Sequence, residues 1–312
     1  MQRLGVALFS AVIVTGCGGL ESTQDPTSTS TATSSSDLVT ADAAPDGRGN
    51  SAREHGKKEE SRQGGSSTVI SYHGGPVLLG TTRVYYIWYG NWSGNTAGTI
   101  LEDFANSVGG SPYFNINTTY WNGAGTHVSN SVAFGGSTTD NYSFGTSLSD
   151  AQIRSVVNSA ISSARLPKDT NGVYFVLTSS DVGASSGFCT VYCGWHTRAS
   201  IGGSDIKYAF VGNPDRCPAA CAAQTVGPNG NAGADGMASV IAHELDEAVT
   251  DPDLNAWYDR RGAENADKCA WTFGTPFTTG NGALANVTLG TRSYLIQQNW
   301  VNSGAGRCAM SY

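Results

Sequence analysis

The chain is poor in charge. Only 14% of its 312 residues are Asp, Glu, Lys or Arg, and 18 basic residues face 25 acidic ones, a formal net charge of −7. Coiled coils and helical repeats need more charge on their solvent faces, and general nucleic-acid binding needs a cationic surface, so the composition argues against both. Beyond the N-terminus there is no apolar run long enough to cross a membrane. The sequence also lacks a Gly-x-Ser-x-Gly elbow, which disfavours a serine hydrolase, and a phosphate-binding glycine-rich loop ahead of a helix. Histidine is scarce, at five residues. Glycine is plentiful, at 40 residues, and a 39% apolar fraction is enough for a substantial core.

Residues 1–16, MQRLGVALFSAVIVTG, set Arg3 ahead of a short apolar stretch. This is the layout of an export signal and is too short for a spanning helix. Cys17 follows Val14-Thr15-Gly16, which resembles a bacterial lipobox, so Cys17 is expected to carry lipid. Residues 17–67 are rich in Ser, Thr, Asp and Gly, with short charge runs such as Lys57-Lys58-Glu59-Glu60. Such a stretch buries too little apolar surface to offset its ordering entropy and reads as a flexible linker. The globular domain is expected over 68–312. The protein is expected to be exported as a membrane-anchored lipoprotein, at the cell surface or in the periplasm, touching the membrane through its lipid only.

Setting Cys17 aside leaves Cys189, Cys193, Cys217, Cys221, Cys269 and Cys308. An even number in an exported domain implies three disulfides. The two Cys-x-x-x-Cys pairs could instead hold a metal, but their spacing is not that of a zinc ribbon. The preferred pattern has bridges among the first four cysteines and a Cys269–Cys308 bridge, although the spacing alone does not fix the connectivity.

Strands and helices alternate along the domain. Residues 83–89, 128–134, 173–177 and 206–211 read as strands, and 284–289 with 292–296 as a hairpin turning at Gly290. Residues 99–108, 149–165 and 235–250 read as helices, the last with Asp235 as its N-cap. The fold class is therefore α/β (α+β), a single mixed-sheet domain.

Acidic residues are concentrated. Asp235, Glu244, Asp246, Glu247, Asp251, Asp253, Asp259, Glu264 and Asp267 fall within 33 positions, with few basic residues to pair with them. At the centre is His243-Glu244-Leu245-Asp246-Glu247. One helical turn sets His243 over Glu247, so both can grip one ion. In zinc proteases an H-E-x-x-H helix supplies two ligands and the base for the metal-bound water. Here Glu247 replaces the second His, and zinc accepts carboxylate oxygen. A third ligand must come from beyond Asp251-Pro252, where the helix should stop. The candidates, in order, are Glu264, Asp267 and Asp253. Asp253 sits at the offset of the third metzincin ligand, but Thr250 replaces the turn glycine of that pattern.

The bland alternatives are a helix whose His joins a local hydrogen-bond network, and a structural calcium or solvated acidic loop at 251–267. Among the other histidines, His73 reads as capping the Gly74-Gly75-Pro76 turn, His127 as a loop residue and His196 as a satisfied structural side chain. Trp88, Trp92, Trp121 and Trp257 could stack on sugars, though core packing accounts for most of them.

Several motifs together resemble the EXORDIUM, or phosphate-induced protein 1, family. They are Tyr72-His73-Gly74-Gly75-Pro76, Ile87-Trp88-Tyr89-Gly90-Asn91-Trp92, Cys193-Gly194-Trp195-His196, Tyr208-Ala209-Phe210-Val211-Gly212-Asn213, Cys217-Pro218-Ala219-Ala220-Cys221, Asp235-Gly236-Met237, Val249-Thr250-Asp251-Pro252 and the stretch from Tyr294-Leu295 to Cys308. The resemblance implies an exported wall or surface protein and leaves its chemistry open. Two functions are therefore expected in competition. The first is a lipid-anchored, zincin-like metallohydrolase acting on peptides. In it His243, Glu247 and Glu264 or Asp267 hold zinc, Glu244 serves as general base, and strand 206–211 offers an edge for an extended substrate. The second is a non-catalytic cell-surface module that binds wall polysaccharide or a protein partner, its acidic block holding a structural cation or none.

Overall fold

The computed structural model describes residues 69–312. The expected leader at 1–16, the lipidation site Cys17, the linker 17–67 and Thr68, the expected first residue of the domain, lie outside the described residues.

The core is a five-stranded mixed sheet. Its strands are β1 (Thr82–Tyr89), β2 (Val132–Asp140), β3 (Gly172–Thr178), β4 (Gly194–Ile201) and β5 (Ser204–Val211). The spatial order is β2-β1-β3-β5-β4. All neighbours are parallel except the β5–β4 pair, which is antiparallel. In β1 and β3 nearly every residue is buried on both faces, which explains their unbroken apolar and aromatic runs.

Three helices cover the sheet: α1 (Ala97–Val108), α2 (Asp150–Ser162) and α3 (Ala232–Thr250). Helix α2 begins at a capping box, in which Ser149 Oγ accepts from the Gln152 amide while the Ser149 amide donates to Gln152 Oε1. Its stripe of Ile153, Val156, Val157, Ala160 and Ile161 faces the core. Helix α3 is buried almost all round, including His243, Glu244, Asp246 and Glu247. It packs on α1, β4 and β5. Among the described residues, no helix is long and apolar enough to cross a membrane.

The structure corrects several boundaries. The strand expected at 128–134 is Val132–Asp140, where Gly135 and Gly136 absorb a register shift against Val84 and Tyr85. Asn231, not Asp235, caps α3, its side chain accepting from the Ala234 amide. Asp235 lies in the first turn and accepts from the Asn229 amide and side chain. The expected hairpin is shorter: Val287–Leu289 pairs with Arg292–Tyr294, while Leu284–Ala285 pairs with Phe277–Thr278. Strand β5 is not an edge. It is flanked by β3 and by β4, a strand absent from the sequence reading, and β4 is the edge.

Three disulfides form: Cys189–Cys217, Cys193–Cys221 and Cys269–Cys308. The first two run side by side and fasten the segment after β5 to the start of β4.

Candidate metal centre

Three parts of the chain meet at one buried cluster. Helix α3 brings His243 and Glu247, one turn apart, with His243 Nε2 2.9 Å from Glu247 Oε1. Strand β4 brings His196, three residues after the Cys193–Cys221 bridge. The loop after α3 brings Glu264 and Asp267, two residues before the Cys269–Cys308 bridge.

The loop is shaped by its own acids. Helix α3 stops at Asp251-Pro252, and Asp251 Oδ1 accepts from the amides of Asn255 and Ala256. Asp259 Oδ1 then accepts from the amides of Arg261 and Ala263, turning the chain back toward the helix. The Asp267 amide donates to Glu247 Oε1, and the Glu264 amide donates to Asp267 Oδ2. Backbone donors thus orient two of the carboxylates.

The donors form two trios that share Glu247. His243, Glu247 and Asp267 make one, and His196, Glu247 and Glu264 the other, the ligand atoms of each lying within 4.8 Å of one another. In the first, His243 Nε2 is 3.6 Å from Asp267 Oδ1. In the second, His196 Nε2 is 3.1 Å from Glu264 Oε2 and 3.7 Å from Glu247 Oε2. Burial is nearly complete: His243 and Glu247 are 0% exposed, His196 1% and Glu264 3%.

Electrostatics follow from that burial. Burial pushes the Glu247 carboxyl up to about 7, although His243 pulls against it. Glu264 is held well above the usual carboxylate range, by burial first and then by Glu247, Asp251 and Asp267. Burial drives His196 down to about 3, helped by the charge on His243. Burial would also lower His243, but Glu247, Asp267 and Glu244 outweigh it and raise His243 well above an ordinary imidazole. The cluster therefore holds protons near neutral pH that a divalent cation would displace.

The residues fit a cation. Glu247 Oε2, Glu264 Oε1 and the Nδ1 atoms of His196 and His243 are buried without a hydrogen-bond partner, and His243 Nε2 has only its close carboxylate contacts and no well-formed hydrogen bond. Orphaned buried polar atoms are costly, and the two carboxylate oxygens and His243 Nε2 mark a position that a metal would satisfy, each imidazole binding through Nε2. Two imidazoles among carboxylates suit zinc better than calcium, which takes oxygen ligands.

Of the sequence candidates, Glu264 and Asp267 both reach the cluster, one in each trio. Asp253 does not. Its carboxylate lies 2.7 Å from Lys207 Nζ and 3.7 Å from Arg198 Nε and is taken up by these cations. Glu244 sits beside the cluster at 0% exposure. A Cβ placed on Gly194 would come within 3.0 Å of Glu244 Oε1 and 2.5 Å of Val240, so glycine is what lets α3 lie this close to β4. His196 is not the self-contained structural residue expected from sequence, because it faces Glu247 and Glu264 directly. His73 stacks on Tyr258 at 3.7 Å, and His127 bonds to the Thr118 carbonyl oxygen, so both lie away from the centre.

Comparison with known proteins places the whole domain. A family model described as the phosphate-induced protein 1 conserved region matches residues 70–297. Protein EXORDIUM-like 3 of Arabidopsis thaliana is 36% identical over 278 residues, covering 76% of this chain and 82% of that protein. Protein EXORDIUM-like 5 of the same plant is 35% identical, covering 76% of this chain and 77% of its own. Protein PHOSPHATE-INDUCED 1 of Nicotiana tabacum is 30% identical, covering 61% and 67%. No solved structure matches the chain.

Proposed function

The chain belongs to the phosphate-induced protein 1 family, and on that premise we propose that it is a non-catalytic exported module, stiffened by a buried cation, whose surface engages wall polysaccharide. The observation that carries this reading is the enclosure of the donors: none of His196, His243 and Glu247 is more than 1% exposed, Glu264 is 3% exposed, and the Asp267 side chain keeps 9%. A catalytic zinc keeps one position open to water and substrate, whereas a structural zinc is closed in by its ligands. Glu244 lies as deep as the ligands do, away from the solvent that a general base would need to draw on. Two cavities of the described residues lie elsewhere. One is lined by Cys221, Ser239 and Trp271, the other by Asp181, Phe188 and Arg216.

Zinc is the ion this reading assigns, drawing a closed set of ligands from His243, Glu247, Asp267, His196 and Glu264. It would neutralise carboxylates that burial otherwise penalises and would tie the loop after α3 to the helix. The N-terminal signal and a lipid on Cys17 would hold the domain at a membrane, at the cell surface or in the periplasm.

The polysaccharide surface is assigned to an aromatic cluster beside the first residues of the domain. His73 and Tyr258 stack with their planes 2° apart, and Trp121 lies 4.6 Å from Trp257, which in turn lies 5.3 Å from Tyr72. Trp257 is buried and backs the cluster, while the more exposed rings of His73, Tyr258, Trp121 and Tyr72 offer apolar faces to sugar rings. The test is retention of the full chain on insoluble wall polysaccharide. Tyr258→Ala and Trp121→Ala should each lose most of the retention, while Glu244→Gln keeps metal, fold and retention. Peptide hydrolysis by the wild type that vanishes in Glu244→Gln would overturn the reading in favour of a metallopeptidase.

A further inference from the structure

The two oxygens of Glu247 face different ligand sets. Oε1 looks toward His243 and Asp267, and Oε2 toward His196 and Glu264. Within the first set the contacts from His243 Nε2 are 2.9 and 3.6 Å; within the second, those from His196 Nε2 are 3.1 and 3.7 Å. Ligand atoms sharing one tetrahedral zinc, with bonds near 2.0–2.1 Å, lie about 3.3 Å apart. Each trio alone therefore has the dimensions of one ion's ligand set.

A second, independent observation separates the trios. Oε1 of Glu247 already accepts the Asp267 amide, while Oε2 has no hydrogen-bond partner and is completely buried. Glu264 Oε1, of the same trio, is orphaned too. An ion confined to the His243 side would leave these two oxygens unsatisfied. The geometry points to a dinuclear centre: two divalent transition-metal ions of the zinc type, bridged by the Glu247 carboxylate. One is held by His243 and Asp267, the other by His196 and Glu264. Carboxylate-bridged pairs of this kind stand about 3.5–4 Å apart. The inference rests on the reading above that the centre holds a cation at all.

Stoichiometry tests it and keeps the two statements apart. The full chain is stripped with a chelator, saturated with zinc, desalted and assayed by elemental mass spectrometry. Two zinc ions per chain are expected, falling to one in His196→Asn and to one in His243→Asn. One zinc in the wild type, unchanged in His196→Asn, would overturn the dinuclear centre and leave the cation reading standing. No zinc in the wild type would overturn both. Circular dichroism and a thiol count establish that each variant is folded and bridged. A measurement without variants covers the case where one is not: cobalt(II) titrated into the stripped wild type, followed by electron paramagnetic resonance. A signal that grows with the first equivalent and shrinks as the second enters is expected of coupled neighbours. A signal that rises linearly through two equivalents, or saturates with one bound, would overturn the bridge.

Discussion

Asp246 and Glu247 are consecutive residues of one helix, both completely buried, and burial pushes both carboxyls up to about 7. Their surroundings differ in kind. Asp246 is answered by the protein: Tyr113 donates its hydroxyl to Oδ2 at 2.7 Å, and Asn117 donates its amide to Oδ1 at 2.7 Å. Asn265 and Asn299 then bond to Asn117 Oδ1 and complete a neutral network. Glu247 is answered by two imidazoles, a backbone amide and further carboxylates, with one oxygen orphaned. The helical twist aims the two residues about 100° apart. On one side polar burial is complete with protein atoms alone, and on the other it calls for a cation.

Removing the ion gives the sharpest break between the two sides. With free zinc at about a thousand times its dissociation constant, linkage is worth about 4 kcal/mol, or ~8–16 °C of Tm for a domain of this size. Chelation of the full chain should lower Tm by that order, and added zinc should restore it. A Tm indifferent to chelator would erase the distinction. Asp246→Ala comes next. It strands the Tyr113 hydroxyl and the Asn117 amide, at a cost of about 2–3 kcal/mol read from urea unfolding. Metal content should stay at the wild-type value, and loss of metal in this variant would show that the helix carries one network instead of two. The smallest effect is in pH. In the stripped protein the raised carboxyls of Asp246 and Glu247 bind protons more tightly folded than unfolded. That contribution is fully present below about pH 4 and is lost as pH rises through about 7. Stripped protein should therefore lose stability between pH 5 and 7.5. The loaded protein has exchanged protons for metal at Glu247, so the gap between the two urea midpoints should widen with pH. A gap that narrows would contradict ligation by Glu247.

The parts of this picture visible in the sequence are those with a local signature. The stripe of α2, the unbroken runs of β1 and β3, and the stacking of His243 over Glu247 all follow from periodicity. Strand β4 was hidden because Gly194-Trp195-His196-Thr197-Arg198 mixes small, aromatic and charged residues without clean alternation. One signal did mark it. Gly202-Gly203 forms the two-residue turn between Ile201 and Ser204, with φ of 56° and 74° as such a hairpin requires. Reading that turn would have predicted the strand, moved that edge of the sheet from β5 to β4 and brought His196 next to α3. The rest of the site could not be read locally. Glu264 and Asp267 are placed by a loop folded on Asp251 and Asp259, and choosing among Asp253, Glu264 and Asp267 required knowing that Lys207 claims the first.

The disulfides set an order of events. Two of the three segments that build the centre are stapled within three residues of a donor, at Cys193 before His196 and at Cys269 after Asp267. In a reducing compartment the thiols stay apart, and neither segment is tethered where its donors are needed. On the proposed reading, an exported chain that holds a cation would close these bridges before its donors could gather round the ion.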